Sequence, residues 1–232
     1  MNTPLVLASL ALAFTLAGAA IPSAAQVAPS AIEVAAYGGV HVAAWTGDTD
    51  ALATLLTRGE TIDARDGRGR TPVHVATYAR QHDALRALAR AGADLNALDH
   101  DRYDAVTIVA VADDEATLDL LLKLGARPGN TTSRYDGNAL IAAAHLGHDG
   151  VVRRLIAAGA PLDHINNLHW TAVIESIVLG DGGPRHLATL KALVDAGADL
   201  RITDRGGATP LEMARRRGYT EMVKILEQAT AR

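Results

Sequence analysis

The sequence predicts an all-α solenoid of about six helix-turn-helix repeats joined by β-turn or hairpin loops. Two observations predict it. A glycine recurs at intervals of 33, 33, 34 and 38 residues, at Gly59, Gly92, Gly125, Gly159 and Gly197. A helix-start pattern recurs in phase with it, as TPVH at 71–74, NALI at 138–141, TAVI at 171–174 and TPLE at 209–212. A fixed period of this length indicates repeated units that stack on one another.

The stretch 63–96 shows what one unit contains. Its residues 66–69, DGRG, are turn formers, and Thr71 and Pro72 suit the cap and the first position of a helix. A short helix is therefore expected from Pro72 to about Ala79. A second apolar run over 84–91 again fits a period of 3.6 residues and ends at Gly92, where glycine favours the left-handed C-cap.

The 33-residue period with a T-P-L-H-x-A pattern is typical of ankyrin repeats. The chain resembles the ankyrin-repeat family over residues 31–232, with repeats at approximately 31–62, 63–95, 96–129, 130–162, 163–199 and 200–232. The first repeat is degenerate at its start, as a terminal capping repeat is expected to be. His41 and His74 share one repeat position, for which the family resemblance implies a bond to the backbone of the adjacent turn.

Residues 1–25 carry no charged side chain, and an apolar run over 5–20 is followed by Pro22 and the small residues of 23–25. This pattern predicts a secretory signal peptide that is cleaved after Ala25, with 26–30 as a short linker. An uncleaved membrane anchor is the alternative, but the run is short for a span. We therefore expect an exported protein of the bacterial periplasm, monomeric and away from the membrane after cleavage.

Composition narrows the function classes. The net charge of −4 and the isoelectric point near 6.1 do not suggest nucleic acid as a partner, because a basic stripe would be expected for one. The absence of cysteine excludes disulfides, thiol catalysis and thiolate metal sites. No serine-hydrolase, zinc-protease or phosphate-loop motif is present. The sequence thus predicts a protein that is not an enzyme and takes no cofactor.

Repeat three departs most from the common pattern. Asp113 stands where glycine usually follows the first helix, and Asp99, His100 and Asp101 crowd the preceding turn. Such a cluster could suggest a metal site. Adjacent residues at a turn tip point in different directions, however, so a solvated turn is the preferred interpretation and no metal site is predicted.

Repeats four and five carry the most particular sequence. The segment 133–186 resembles a group of exported or cytoplasmic bacterial ankyrin proteins that carry a similar N-N-L-x-W-T-A-x-I-E followed by L-G-D-G-G-P-R-H. Gly180 and Gly197 are 17 residues apart, whereas Gly147 and Gly159 are 12 apart. The five extra residues are expected to form a defined loop between the two helices, since Gly182, Gly183 and Pro184 disfavour more helix.

Repeat stacking should bring the polar residues of this region to one edge. The resemblance implies that turn tips and the concave face of the first helices bind a protein partner. The expected partner-binding residues are Arg134, Tyr135, His145, Asn166, Asn167, His169, Trp170, Glu175, Asp181, Arg185 and His186. Trp170 could instead pack against the next repeat, and Asn166 and Asn167 could instead stabilise their turn.

The sequence therefore predicts a non-catalytic protein-binding module, which could inhibit or protect a periplasmic enzyme or serve as a scaffold. The rival interpretation is a small-ligand or metal-binding protein that uses the segment 181–186.

The final repeat turns basic at Arg215, Arg216 and Arg217, directly before Gly218. Positive charge is favoured at a helix C-terminus, so these residues are expected to end a helix rather than to bind an acidic partner or a nucleic acid.

Overall fold

A computed structural model describes residues 26–231, and the expected signal peptide of residues 1–25 lies outside them. Residues 26–30 have no regular secondary structure. The described chain forms thirteen helices: α1 Ala31–Ala35, α2 Gly39–Thr46, α3 Thr49–Thr57, α4 Pro72–Tyr78, α5 His82–Arg90, α6 Ala105–Val111, α7 Glu115–Lys123, α8 Ala139–Leu146, α9 Asp149–Ala157, α10 Ala172–Val178, α11 Pro184–Asp195, α12 Pro210–Arg217 and α13 Thr220–Thr230. The all-helical fold predicted from the repeats is confirmed.

The helices form two layers. The first helices of the six pairs stack in the order α2, α4, α6, α8, α10 and α12, and the second helices stack alongside them from α3 to α13. The core is correspondingly spread along the stack. Equivalent leucines of successive second helices, Leu88, Leu121, Leu155 and Leu193, are all fully buried. Each repeat thus buries its apolar face on its neighbours.

An aspartate or asparagine side chain at one repeat position stabilises four of the turns between repeats. In repeat two Oδ1 of Asp66 accepts hydrogen bonds from the backbone N–H groups two and four residues later, and Asp99, Asn166 and Asp204 do the same in repeats three, five and six. Aspartate and asparagine are favoured here because their short side chains reach their own backbone. Asp99 is therefore a turn-forming residue, although it is half-buried and burial raises its pKa.

The two histidines of the shared repeat position join neighbouring repeats. Nε2 of His74 lies 3.0 Å from the carbonyl oxygen of Tyr103, and Nε2 of His41 lies 3.0 Å from that of Arg70. Nδ1 of His74 also accepts from the backbone N–H of Thr71 at 3.1 Å. The structural role expected for both histidines is confirmed.

The N-terminal end is closed by a buried arginine. Arg70 is 1% exposed, and its guanidinium contacts Asp66 and Glu33, each at 2.7 Å. Glu33 also accepts from the backbone N–H of Ser30, and this bond and the nearby Arg70 lower the pKa of Glu33 to about 2. The charge network fastens α1 to the turn of repeat two.

Within residues 26–231 no helix is long and apolar enough to cross a membrane.

Candidate functional site

The turn tips of repeats four and five are held together by hydrogen bonds to backbone carbonyl oxygens. The N–H of Asn167 donates to the carbonyl oxygen of Tyr135, and its side-chain amide donates to that of Arg134, both at 2.8 Å. His169, with a positive φ of 67°, places Nδ1 3.1 Å from the carbonyl oxygen of Thr203 in the next turn. The tips of three successive repeats are therefore linked.

Asn166 joins this edge to the first-helix layer. Its Oδ1 accepts from the N–H groups of Leu168 and Trp170, at 3.0 and 2.9 Å, and its Nδ2 donates to Oε1 of Glu175 at 2.9 Å. The turn-stabilising role considered for Asn166 is confirmed, and the same residue also positions a carboxylate.

The two aromatic side chains of this edge differ in exposure. Tyr135 is 37% exposed, whereas Trp170 is half-buried and packs against the core. Most of the Trp170 side chain is therefore covered by packing within the chain, which was the alternative to partner contact. Tyr135 is the better aromatic candidate for contact with a partner.

Glu175 is a buried carboxyl group with one unpaired oxygen. It is 4% exposed, and its Oε2 has no hydrogen-bond partner. The nearest ring nitrogen, Nδ1 of His145 on α8, lies 3.5 Å from that oxygen. Burial raises the pKa of Glu175 to about 7, although the hydrogen bond from Asn166 opposes the change. The carboxyl can therefore change its charge near neutral pH.

A cavity of about 160 Å³ lies beside this carboxyl, between the faces of α6, α8 and α10 and the turns before them. Its lining combines apolar surface with a few polar groups. The lining residues are Gln26, Tyr103, Thr107, Val111, Thr132, Ser133, Tyr135, Gly137, Asn138, Ile141, Ala142, His145, Leu146, Asn166 and Glu175. We call it the Glu175 cavity.

His145 forms one wall of the cavity. Its pKa is lowered, first because the ring is largely buried and then because of the neighbouring charge of His186. A neutral imidazole therefore faces Glu175 at neutral pH.

The insertion of repeat five differs from the expected loop. The link between the helices is confined to residues 179–183, and Pro184 begins α11, which has 12 residues where α5, α7 and α9 have 9. The expectation that all five extra residues form a loop was wrong, because proline is well suited to the first helical position. Arg185 and His186 therefore lie on the first turn of α11.

The polar side chains of this segment bind other parts of the chain. Nδ1 of His186 lies 2.8 Å from Oδ1 of Asp181, and its Nε2 lies 2.9 Å from the carbonyl oxygen of His145. Hydrogen bonds from the N–H of Gly183 and from His186 lower the pKa of Asp181. His186 thereby ties the inserted segment to the end of α8.

Two further contacts hold the same segment. Arg185 contacts Asp113 at 2.8 Å and Asp149 at 3.5 Å, and the hydroxyl of Tyr219 donates to the carbonyl oxygen of Gly180 at 2.9 Å. Asp113 itself has a positive φ of 55°, which an aspartate adopts at some cost. The insertion acts as a brace across repeats three to six.

The structure thus separates the residues predicted to form one site. Tyr135, His145, Asn166 and Glu175 line the Glu175 cavity, whereas Asp181, Arg185 and His186 form the brace behind it. Arg134, Asn167 and His169 lie exposed at the turn tips. Within residues 26–231 no group of three His, Asp or Glu side chains is arranged to hold a metal ion.

Sequence reasoning missed several members of the cavity, among them Tyr103, Thr107 and Asn138. Comparison of equivalent positions could have found the site. Glu175 occupies the position of Val75, Ile108 and Met213, which are buried, and of Val42 and Ala142, which are not. All of these equivalents are apolar. A carboxyl group at a position that is otherwise apolar indicates that this residue has a role other than packing against the next repeat.

Known proteins resemble the chain over most of its length. A family model described as ankyrin repeats matches it three times, over residues 40–132, 106–204 and 141–231. The ankyrin repeat protein YahD of Escherichia coli K12 is 36% identical over 192 residues, which are 82% of this chain and 94% of that protein.

Solved structures give the same picture. An ankyrin repeat domain from Acinetobacter baumannii AYE is 40% identical with a TM-score of 0.76, and the ankyrin repeat protein EF0377 is 32% identical with a TM-score of 0.75. Each match covers 82% of this chain and 97% of the other. The ankyrin repeat domain of Bcl-3, at 24% identity and a TM-score of 0.73, shares the fold and covers 84% of this chain and 86% of its own.

Proposed function

The chain belongs to the ankyrin-repeat family, and on that premise we propose that it is a non-catalytic module that binds a protein partner. Ankyrin repeats are protein–protein interaction modules. The partner contacts the turn tips and first-helix face of repeats three to five. The observation that carries the proposal is the exposed aromatic and aliphatic surface at this place.

Tyr135, Leu146 and Leu179 are 37%, 41% and 44% exposed. Tyr135 and Leu146 line the same cavity, and Leu179 follows α10, which packs beside α8. We call Arg134, Tyr135, Leu146 and Leu179 the docking surface. Exposed aromatic residues beside a pocket often supply a large share of binding energy.

Rigidity supports the same role. The bonds of Asn167 to Arg134 and Tyr135 fix the turn tips, and the contacts of Arg185 and His186 brace the repeats behind them. A surface that is ordered before binding loses little conformational entropy on association.

We place the partner in the bacterial periplasm, where an enzyme that the chain inhibits or protects is our preferred candidate. The support is the apolar, uncharged sequence of residues 1–25 and the small residues at its end. The inserted segment 181–186 is a weaker candidate for a ligand site, because its polar side chains are bonded within the chain.

The test begins with capture from periplasmic extract on an immobilised chain that starts at Gln26, followed by titration with the purified partner. Tyr135→Ala should weaken the affinity about tenfold or more, since it removes an aromatic contact from the docking surface. Arg86→Ala is the matched control, because Arg86 is exposed on α5 in the second-helix layer and should leave affinity unchanged. Equal affinity of the wild type and Tyr135→Ala for the partner would reject this docking surface.

A further inference from the structure

The Glu175 cavity has an unusual charge balance. Its described lining contains one carboxyl group and neither arginine nor lysine. The only other side chain there that titrates near neutral pH, His145, is held towards its neutral form by burial. No lysine or arginine side chain of the described cavity wall therefore neutralises the carboxylate.

The repeat stack does not require a carboxyl at this position. Five apolar residues occupy the equivalent place in the other repeats: Val75, Ile108 and Met213 are buried, and Val42 and Ala142 are partly exposed. Glu175 is as buried as the first three, yet its Oε2 lacks a hydrogen-bond partner. The buried Nε2 of Gln26, another lining residue, also lacks a partner, so the described chain leaves both groups unsatisfied. A buried charged group without a partner is costly, and we expect a ligand to supply the partner that the described chain does not.

We infer that the Glu175 cavity is an anchor pocket for the ammonium group of a lysine side chain on the protein partner, an inference that rests on the proposed function. The ammonium donates to Oε2 of Glu175. Tyr103 and Tyr135 supply aromatic surface to the same cavity, and such surface attracts cations. At about 30 Å³ for each water-sized group, the 160 Å³ cavity accepts roughly five non-hydrogen atoms, which is the size of the butylammonium end of lysine.

Access requires a small movement. Oε2 of Glu175 has almost no solvent exposure of its own, and the nearest covering group is the His145 ring, whose side chain is 33% exposed. Rotation of this ring is the movement by which we expect a path to the oxygen to open. A partly exposed side chain can change rotamer rapidly.

A neutral amide is the sharpest competitor for the same site. Asn138 also lines the cavity, and its Nδ2 is a buried donor without a partner. A carboxamide could donate to Glu175 and accept from Asn138. The experiment therefore compares a cation, an amide and an apolar side chain.

The probes are the N-acetyl, N-methylamide forms of lysine, glutamine and norleucine, titrated at neutral pH into the chain that starts at Gln26. The N-terminus of this chain is acetylated, because Gln26 lines the cavity and a free α-ammonium group would place a cation there. Backbone amide signals of Tyr135 and His145 are followed by NMR. The lysine probe should bind with a dissociation constant of about 1 mM, as expected for a ligand of this size. The norleucine and glutamine probes should bind at least about tenfold more weakly.

Glu175→Gln should weaken lysine binding about tenfold or more while it keeps the volume and the acceptor for Asn166. Glu221→Gln, which removes a 63% exposed carboxylate on α13, is the control and should bind as the wild type does. Equal binding of lysine and norleucine, tighter binding of glutamine, or no effect of Glu175→Gln would overturn the cation assignment.

The two proposals fail separately. If Tyr135→Ala weakens binding of the protein partner and Glu175→Gln does not, the docking surface stands and the anchor pocket is wrong. If the lysine probe binds as expected and no protein partner is found, the pocket stands as a cation site and the protein-binding function is wrong.

Discussion

The buried carboxyl of Glu175 should make the stability of the protein fall as pH rises towards neutrality. Its pKa is raised from an ordinary value of 4.5 to about 7 in the folded chain. Below pH 4.5 the group is protonated in both states. Between the two values the folded chain keeps a proton that the unfolded chain has lost, so rising pH favours unfolding.

The magnitude follows from the same two values. At 1.36 kcal/mol for each tenfold change in proton affinity, the increase from 4.5 to about 7 corresponds to about 3 kcal/mol. This much free energy of unfolding is lost between about pH 4.5 and pH 7, and the loss is complete above pH 7.

Glu175→Gln removes the titration and retains an acceptor for Asn166. The free energy of unfolding is measured by urea titration with circular dichroism, in steps of about one pH unit from about pH 4.5 to pH 8.5. Wild type and variant should be similar at the acid end, and the variant should be more stable by about 3 kcal/mol at the alkaline end.

Other titrating groups face the carboxyl of Glu175. Their contribution to the pH dependence cancels when the wild type is compared with Glu175→Gln, because both proteins contain them. His145 lies across the cavity on α8, and Tyr103 and Tyr135 lie in the adjacent turns. His145 acts in the opposite sense, because its lowered pKa costs stability at acid pH, but it is present in both proteins. A difference that stays constant across the pH range would refute the reasoning.

Three further predictions concern the stack, all measured by urea unfolding. Arg70→Ala should lower the free energy of unfolding by about 3 kcal/mol, because it leaves the largely buried carboxylate of Asp66 without its cation. Arg68→Ala, whose side chain is 46% exposed, should lower it by about 1 kcal/mol or less, and equal effects would contradict the network around the buried Arg70. Leu121→Ala should lower the free energy of unfolding by about 2–5 kcal/mol, because it leaves a cavity at a fully buried site. Leu146→Ala, on the surface, should lower it by about 0.5 kcal/mol, and similar losses for the two variants would place the core elsewhere. Tyr219→Phe should lower the free energy of unfolding by about 1 kcal/mol, because it removes the hydrogen bond from the Tyr219 hydroxyl to the carbonyl oxygen of Gly180. An unchanged free energy would show that repeat six does not support the insertion.

The repeats could be predicted because their signals are local. Proline at the start of α4 and glycine at 92 after α5 act through their own backbone preferences, and both occur where the sequence indicated. The buried face of α5, with Ala84, Leu85 and Leu88, likewise followed from the 3.6-residue spacing of the apolar run over 84–91. Such features need no knowledge of the neighbouring repeats.

The insertion could not be predicted in the same way. Gly182 and Gly183 favour a loop and Pro184 favours a helix start, so the local signals allow several divisions of five extra residues. The choice was decided by contacts from other repeats, since Tyr219 bonds to Gly180 and Arg185 reaches Asp113. These partners are 39 and 72 residues away in the chain.

The same distinction explains what was found of the candidate site. Glu175, His145, Asn166 and Tyr135 were named because they are polar or aromatic in a distinctive segment. The cavity itself depends on Tyr103 and Asn138, which belong to other turns and have ordinary local roles. Only the stacked repeats bring these groups around one unpartnered oxygen.

The energetics of Glu175 connect the stability and binding experiments. A structural role predicts that loss of the negative charge destabilises the chain, whereas the unpartnered Oε2 predicts that the neutral glutamine stabilises it. If the same substitution also weakens the lysine probe, stability and binding change in opposite directions. That combination is expected of a group whose partner arrives with a ligand, and it distinguishes an anchor pocket from a carboxyl that is needed to hold the repeats together.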